Sequence, residues 1–97
     1  MLRCKSHITE KGRLLAVCDE EIIGLTFREG PARITVSERF YGGELVTEEE
    51  FVERSRSAVV MNIVGNRAVE AAVAAGLASE RCVISIGGVK HAQTVVL

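Results

Sequence analysis

Strand patterns lie at both ends of this chain, and that placement restricts the fold more than any other feature of the sequence. Residues 2–8 alternate between apolar and polar side chains, which is the period of a half-buried strand. A turn at 9–12 and an apolar run at 13–18 predict an antiparallel hairpin. Two further runs, 81–86 and 89–96, predict the last two strands. Both ends of the chain are therefore expected to join one sheet.

Helix signals fill the middle of the chain, and the clearest of them is at Thr47. Threonine at the N-cap with Glu50 three residues later would satisfy two free backbone amides. The three consecutive glutamates also favour the positive end of a helix dipole. This pattern predicts a helix over 48–57.

A second helix ends at Ala75, where Gly76 suits a left-handed cap, and it carries an apolar stripe at helical spacing. Its start has two candidates, because either Asn62 or Asn66 suits an N-cap. Residues 58–61 form either a short strand or the approach to this helix.

The segment between the first hairpin and the first helix is less regular. Asp19 can cap a short helical turn over 20–23 with Gly24 as its terminator, and residues 32–37 predict a third strand. Together the elements predict an α+β fold: a two-layer α/β sandwich whose mainly antiparallel sheet, of about five strands, is covered by two helices. Residues 1–97 are expected to form a single domain.

Charge and composition narrow the classes of partner. The chain is 47% hydrophobic and 26% charged, which is typical of a globular domain, and its net charge is −1. A chain with this net charge lacks the positive electrostatic field that favours nonspecific binding to nucleic acid. Direct nucleic-acid binding therefore stays undecided. No run reaches transmembrane length and the N-terminus lacks the apolar run of a signal peptide. We therefore expect a cytoplasmic protein with no membrane partner, while its oligomeric state stays open.

The three cysteines are irregularly spaced and include no Cys-x-x-Cys pair, which predicts free thiols in a reducing compartment. Cys4 and His7 are three apart in a strand and would point to opposite faces, so neither a metal site nor a cofactor is predicted. Cys4 faces Cys18 if the first hairpin has a three-residue loop and Val17 if the loop has four residues. A small enzyme or metal-dependent catalyst using these thiols and histidines is the alternative function, although no spacing supports it.

A glycine pair, Gly87 and Gly88, interrupts the last strand pattern. One interpretation is a tight hairpin turn, for which glycines supply positive φ angles. The expected pairs are Ile86 with Val89, Ile84 with His91, and Cys82 with Gln93. The other interpretation is a binding site, in which the glycines let a partner approach the backbone beside Lys90 and His91. The candidate binding residues are Gly87, Gly88, Lys90, His91 and Gln93.

A second glycine pair lies in ERFYGGELV, residues 38–46. One interpretation is a loop in which an aromatic ring folds back over the core. The other is a recognition loop, because an arginine beside an exposed aromatic ring is a common contact for nucleic acid or peptide. The candidate binding residues are Arg39, Phe40, Tyr41, Gly42, Gly43 and Glu44.

The stretch VGNRAVEAA places a glycine before a helix, but it lacks the glycine spacing and the Lys-Ser/Thr pair of a phosphate loop. A helix N-terminus near Gly65 could still attract an anion. Asn66 and Arg67 are therefore further candidate binding residues.

Four motifs follow one another along the chain: AVCDEEIIGLTFREG, FYGGELVTEE, NIVGNRAVEAAVAAGL and IGGVKHAQ. In this order they resemble an archaeal family of uncharacterised proteins, domain of unknown function 424. The resemblance covers nearly the whole chain. It implies an archaeal cytoplasmic protein with a compact α/β sandwich, and it implies no catalytic residues.

The leading hypothesis is a small, non-catalytic binding module within a larger assembly. We expect a protein or ribonucleoprotein partner, with a translation- or RNA-associated role as the finer expectation. The two glycine-containing segments, 39–44 and 87–93, are the predicted contact surfaces.

Overall fold

The computed structural model describes residues 1–95 and confirms the α+β class. The strands are β1 (Leu2–Thr9), β2 (Gly12–Asp19), β3 (Thr26–Glu29), β4 (Ala32–Thr35), β5 (Glu44–Val46), β6 (Val60–Val64), β7 (Ile84–Ile86) and β8 (Val89–Val95). The helices are α1 (Glu38–Tyr41), α2 (Glu48–Ser55) and α3 (Asn66–Ala74), with single 3₁₀ turns at Glu20–Ile22 and Glu80–Cys82. Residue 96, the end of the last predicted strand, lies outside the described residues.

Six strands form one sheet in the order β5-β1-β2-β6-β8-β7, while β3 and β4 form a separate hairpin. All neighbours in the large sheet are antiparallel except β2 and β6, which are parallel. The mainly antiparallel sheet is thus confirmed, although its strands differ from those predicted. The predicted third strand, 32–37, is β4 of the separate hairpin, while β5 and the central β6 join the sheet. For β6 the sequence had left open either a short strand or the approach to a helix.

The strand β6 was hard to predict because it has buried residues on both of its faces. Its sequence, VMNIV, is a nearly continuous apolar run rather than an alternation of apolar and polar residues. Periodicity does not separate such a run from part of a buried helix. Asn62, one of the two candidate helix caps, therefore lies in the middle of a strand, and α3 begins at Asn66.

One face of the sheet is covered by α2 and α3. Phe51 of α2 and Val69 of α3 are buried against strand residues such as Leu15, Val17 and Ile63. Full burial of an aliphatic or aromatic side chain contributes about 1.5–3 kcal/mol, so this mostly aliphatic layer contributes strongly to stability. We call this side of the sheet the helical face.

The opposite face is covered over part of its area by the chain between β2 and β5. The β3–β4 hairpin and α1 enclose a smaller core, in which Val36 and Tyr41 contact Cys18, Val64 and Val89. This partial third layer was not predicted. It leaves one end of the sheet uncovered, and that end carries the candidate site.

The predicted capping box at the start of α2 is present. Thr47 Oγ1 accepts a hydrogen bond from Glu50 N at 3.0 Å, and Glu50 Oε1 accepts one from Thr47 N at 2.9 Å. The bond from the Thr47 amide lowers the pKa of the Glu50 carboxyl. The helix ends at Ser55, two residues before the predicted end, and Arg56 is its C-cap.

Replacing Thr47 with alanine should lower the free energy of unfolding by about 1 kcal/mol, because it removes the oxygen that satisfies the Glu50 amide. Urea denaturation would measure the change. Glu49→Gln is the control, since this carboxylate acts only through the helix dipole and should cost about 0.3 kcal/mol. Equal effects of the two changes would contradict the capping role of Thr47.

Candidate functional site

The segment 39–44 is held against β1 by side chains that point away from the helical face. Three of its backbone carbonyls accept hydrogen bonds from alternate residues of the strand. The bonds are Arg3 Nε to Gly43 O at 2.7 Å, Lys5 Nζ to Arg39 O at 2.7 Å, and His7 Nε2 to Phe40 O at 2.8 Å. Because alternate side chains of β1 point to the same face, these three donors reach the loop together and fix its position.

The glycine pair in this loop has a structural reason. A Cβ atom on Gly43 would lie 2.0 Å from the carbonyl oxygen of Cys4, and one on Gly42 would lie 2.3 Å from that of Glu38. Neither oxygen can move freely, because both belong to backbone in regular elements. Glycine at both positions is therefore required by close packing of the backbone, whatever the loop binds.

The two aromatic residues of the loop have different environments. Phe40 is half-buried and stacks on His7, with ring centroids 4.8 Å apart and an angle of 15° between the rings. Tyr41 is buried, and its hydroxyl donates a hydrogen bond of 2.5 Å to Asn62 Oδ1. Tyr41 thus folds back over the core, as one of the two sequence interpretations held.

Asn62 also accepts a hydrogen bond from His91 Nε2, at 3.1 Å, so one amide oxygen joins α1, β6 and β8. We call these three side chains the Tyr41–Asn62–His91 cluster. Because an amide oxygen only accepts, His91 donates from a protonated Nε2 and keeps a lone pair on Nδ1. Partial burial lowers the pKa of His91, which favours the neutral ring at pH 7.

The cluster borders the uncovered end of the sheet. Leu14, Val60 and Val95 lie side by side on neighbouring strands, and Gln93 pairs with Asn62. Val95 is 60% exposed, Gln93 is exposed, and Leu14 and Val60 are half-buried. We call this surface the open face; its residues are Leu14, Val60, Asn62, His91, Gln93 and Val95. Its apolar side chains lie in a row beside neutral hydrogen-bonding groups.

The pair Gly87 and Gly88 forms the predicted hairpin turn, with φ angles of 58° and 84°. Ile86 pairs with Val89 and Ile84 with His91, as expected. The predicted pair of Cys82 with Gln93 is wrong, because Cys82 lies in a 3₁₀ turn and β7 begins only at Ile84.

Contacts with the rest of the fold hold this turn in place. Gly87 N donates to Glu29 Oε1 at 2.9 Å, and Asn66 Oδ1 accepts from Lys90 N at 2.9 Å. A Cβ atom on Gly87 would lie 2.8 Å from the carbonyl oxygen of Arg28. Lys90 and His91 point to opposite faces of the sheet, so the turn does not bring them together as one recognition pair.

The N-terminus of α3 is occupied by a carboxylate from the chain itself. Asp19 is buried and accepts hydrogen bonds from Arg67 N at 3.2 Å and Ala68 N at 2.8 Å. It is the N-cap residue of the 3₁₀ turn that follows it, as predicted, but its side chain makes no capping bond there. The N-cap residue of α3 is Gly65 rather than an asparagine, and Asp19 fills the position that an external anion would take.

Two of the three thiols are buried and face opposite sides of the sheet. Cys4 pairs with Val17, the register expected for a four-residue loop, and the strands extend to Thr9 and Gly12 at the turn. Burial raises the pKa of Cys4 to about 11 and that of Cys18 to about 12, so both stay protonated near neutral pH and neither is an activated nucleophile. Within residues 1–95 no three His, Cys, Asp or Glu side chains are grouped to hold a metal ion.

The exposed Cys82 should react with a thiol reagent at least about tenfold faster than Cys4 and Cys18, because burial protects both other thiols and disfavours their thiolates. Reaction with a chromogenic disulfide in native buffer at pH 8 would separate one fast thiol from two slow ones. The denatured protein should react rapidly at all three positions. Fast reaction of more than one thiol in the native protein would contradict the burial of Cys4 and Cys18.

The environment of His91 predicts a pH dependence of stability. At pH values above 6.5, the ordinary pKa of histidine, the residue is neutral in both the folded and the unfolded chain. Below it, the unfolded chain takes up a proton that the folded protein resists, so stability falls until the pH reaches the lowered folded pKa. Relative to His91→Gln, the wild type should lose stability between pH 7.5 and 5.5 in urea denaturation. Parallel pH profiles would contradict the assignment.

The structure does not bring the sequence candidates together in one site. His91 and Gln93 lie on the open face, and the buried Tyr41 reaches its edge through the bond to Asn62. Asn66 and the glycines serve packing and turns, while three charged candidates form ion pairs elsewhere: Lys90 with Glu70, Glu44 with Arg54, and Arg67 with Glu21. Asn62 was missed as a site residue. A single amide inside a buried apolar run was the available signal, because a buried polar side chain needs a partner and often marks a site.

The fold and this cluster define a small α+β protein with a six-stranded mixed sheet that is open at one end. The chain belongs to the family described as Protein of unknown function (DUF424), which matches residues 6–97. It is similar to the crystal structure of an uncharacterized conserved protein from Methanopyrus kandleri, at 30% identity and a TM-score of 0.85. The match covers 99% of this chain and 91% of that one. None of the curated proteins compared with it matches.

No helix within residues 1–95 is long and apolar enough to span a membrane.

Proposed function

We propose that this protein is a non-catalytic interaction module and that its open face binds a protein partner within a larger assembly. The observation that supports this most strongly is the chemistry of the open face. Val60 and Val95 offer apolar area, and Asn62, His91 and Gln93 offer neutral donors and acceptors beside it. This mixture matches the partly apolar, hydrogen-bonding character of protein interfaces.

The cluster would present its free groups in a fixed geometry. The Asn62 oxygen is used internally by Tyr41 and His91, so the Asn62 amide nitrogen and His91 Nδ1 are the groups available to a partner. One is a donor and the other an acceptor, which is the pair that a backbone peptide group requires. Because three separate elements hold the cluster, little side-chain entropy would be lost on binding.

Charge favours protein over nucleic acid as the directly bound molecule. Arg39 is the one exposed cation of the loop itself, and the neighbouring Arg3 and Lys5 donate to backbone carbonyls of the loop. Phe40 already stacks on His7, so that ring is a poorer platform for a base. A ribonucleoprotein remains a suitable assembly if the contact is made with one of its proteins, and a translation- or RNA-associated role is proposed in that sense.

The competing class is a small enzyme based on cysteine and histidine. The raised pKa values of Cys4 and Cys18 disfavour thiolate chemistry, and the histidine of the cluster donates to an amide rather than to a nucleophile. The interaction module therefore accounts for the open face better.

Site-specific photocrosslinking tests the proposal. A photoreactive amino acid would replace Gln93 on the open face or, as a control, the exposed Glu49 on α2. Irradiation in the cells that make the protein should give one discrete protein adduct from position 93 and none from position 49. Adducts that disappear on nuclease treatment, or identical adducts from both positions, would contradict a protein partner at the open face.

A further inference from the structure

A cleft of about 420 Å³ lies on the helical face, on the opposite side of the sheet from the open face. Its walls come from the second half of α3, the 3₁₀ turn at Glu80–Cys82 and β8. Val69, Val73 and Val83 supply apolar surface, so the cleft has the largely apolar lining of a small-molecule site. The cleft is independent of the proposed partner-binding surface.

The charged residues of this cleft are two carboxylates and one ammonium. Lys90 Nζ lies 3.4 Å from Glu70 Oε1, and the two side chains are 43% and 65% exposed. Glu80 also lines the cleft and makes no ion pair within residues 1–95, so the net charge of the lining is −1. The cleft lies along the last turn of α3 and reaches its final residue, Ala74. The helix dipole at this C-terminal end also favours positive charge.

We propose that this cleft binds a primary alkylammonium group, with the alkyl chain against the valines and the ammonium beside Glu80. A lysine side chain and a free aliphatic amine share this chemistry, because both carry a flexible apolar chain that ends in a compact cation. A carboxylate of the same length would meet Glu70 and Glu80 and should be rejected.

Methyl NMR spectra of the full chain, titrated with hexylammonium, hexanoate and hexanol, test the proposal. Hexylammonium should shift the methyl signals of Val69, Val73 and Val83 saturably at millimolar concentrations, while hexanoate and hexanol should give weaker shifts or none. A lysine derivative blocked at its backbone amine and carboxyl separates the two sources. Its saturable binding would indicate a lysine side chain, and binding of hexylammonium alone would indicate a free amine.

Charge variants give the sharper test. Glu80→Gln should weaken hexylammonium binding about two- to fivefold, and Lys90→Gln should strengthen it by a similar factor because Glu70 loses its competing partner. Glu49→Gln on α2 is the matched control and should leave binding unchanged. Absence of saturable shifts, equal binding of hexanoate and hexylammonium, or equal affinity in Glu80→Gln and the wild type would each overturn the proposal. None of these results depends on the open face.

Discussion

Replacing Gly65 with alanine is expected to lower the free energy of unfolding by about 3 kcal/mol or more, because two unfavourable effects combine. The residue has φ 114°, a conformation that side chains rarely adopt. A Cβ atom would also lie 2.5 Å from the carboxylate of Asp19, which is buried and bonded to α3. Urea denaturation followed by circular dichroism would measure the loss.

Gly24→Ala is the matched control, because Gly24 also has a positive φ, of 87°, but a Cβ atom added there would have no other atom within 4 Å. It should cost only about 1–2 kcal/mol, the conformational part of the effect. If the two variants were equally stable, the contact of the added Cβ atom with Asp19 would make no contribution to the loss of stability.

Replacing Asp19 with alanine is expected to lower the free energy of unfolding by about 2–4 kcal/mol. The change leaves the amides of Arg67 and Ala68 without an acceptor, and the second of these bonds is buried. Asp19→Asn keeps the shape and one acceptor oxygen, so it should be less damaging than Asp19→Ala. The same urea denaturation experiment compares both variants.

A double mutant connects the two predictions. Because Asp19 is the side chain that a Cβ on Gly65 would strike, Gly65→Ala should cost less in the Asp19→Ala background than in the wild type. Strict additivity would mean that Gly65 is required by its backbone conformation alone.

The capping arrangements show how far the sequence could be interpreted. At Thr47 both partners of the capping box lie within four residues, and the local pattern correctly predicted α2. At α3 the cap comes from Asp19, which is 48 residues away from Arg67 in the sequence. Local rules assign such a carboxylate to the nearest helical turn, so this contact needed the tertiary structure.

In the candidate site, too, the sequence predicted the features that depend on neighbouring residues and missed the contacts between distant ones. The alternation in β1 predicts which of its side chains leave the helical face, and the glycine pair at 87 and 88 predicts its turn. The meeting of Tyr41 with Asn62 depends on α1 crossing the sheet, and that of His91 with Asn62 depends on the pairing of β6 with β8. Neither is encoded in residues that are close in sequence.

If the open face holds the partner, a charge introduced on that face should abolish binding, and the same charge on the opposite face should not. Val95 and Ile8 are strand residues with 60% and 78% exposure, but they lie on opposite faces of the sheet. A glutamate at either exposed position should leave the fold intact, whereas burying that charge in an apolar interface is costly. Tagged Val95→Glu and Ile8→Glu proteins would each be used for affinity capture from the source cells, with the wild type alongside.

We predict that Ile8→Glu retains the protein partner captured by the wild type and crosslinked at position 93, while Val95→Glu loses it with an unchanged urea midpoint. Equal recovery of that partner by Val95→Glu and the wild type would contradict binding at the open face.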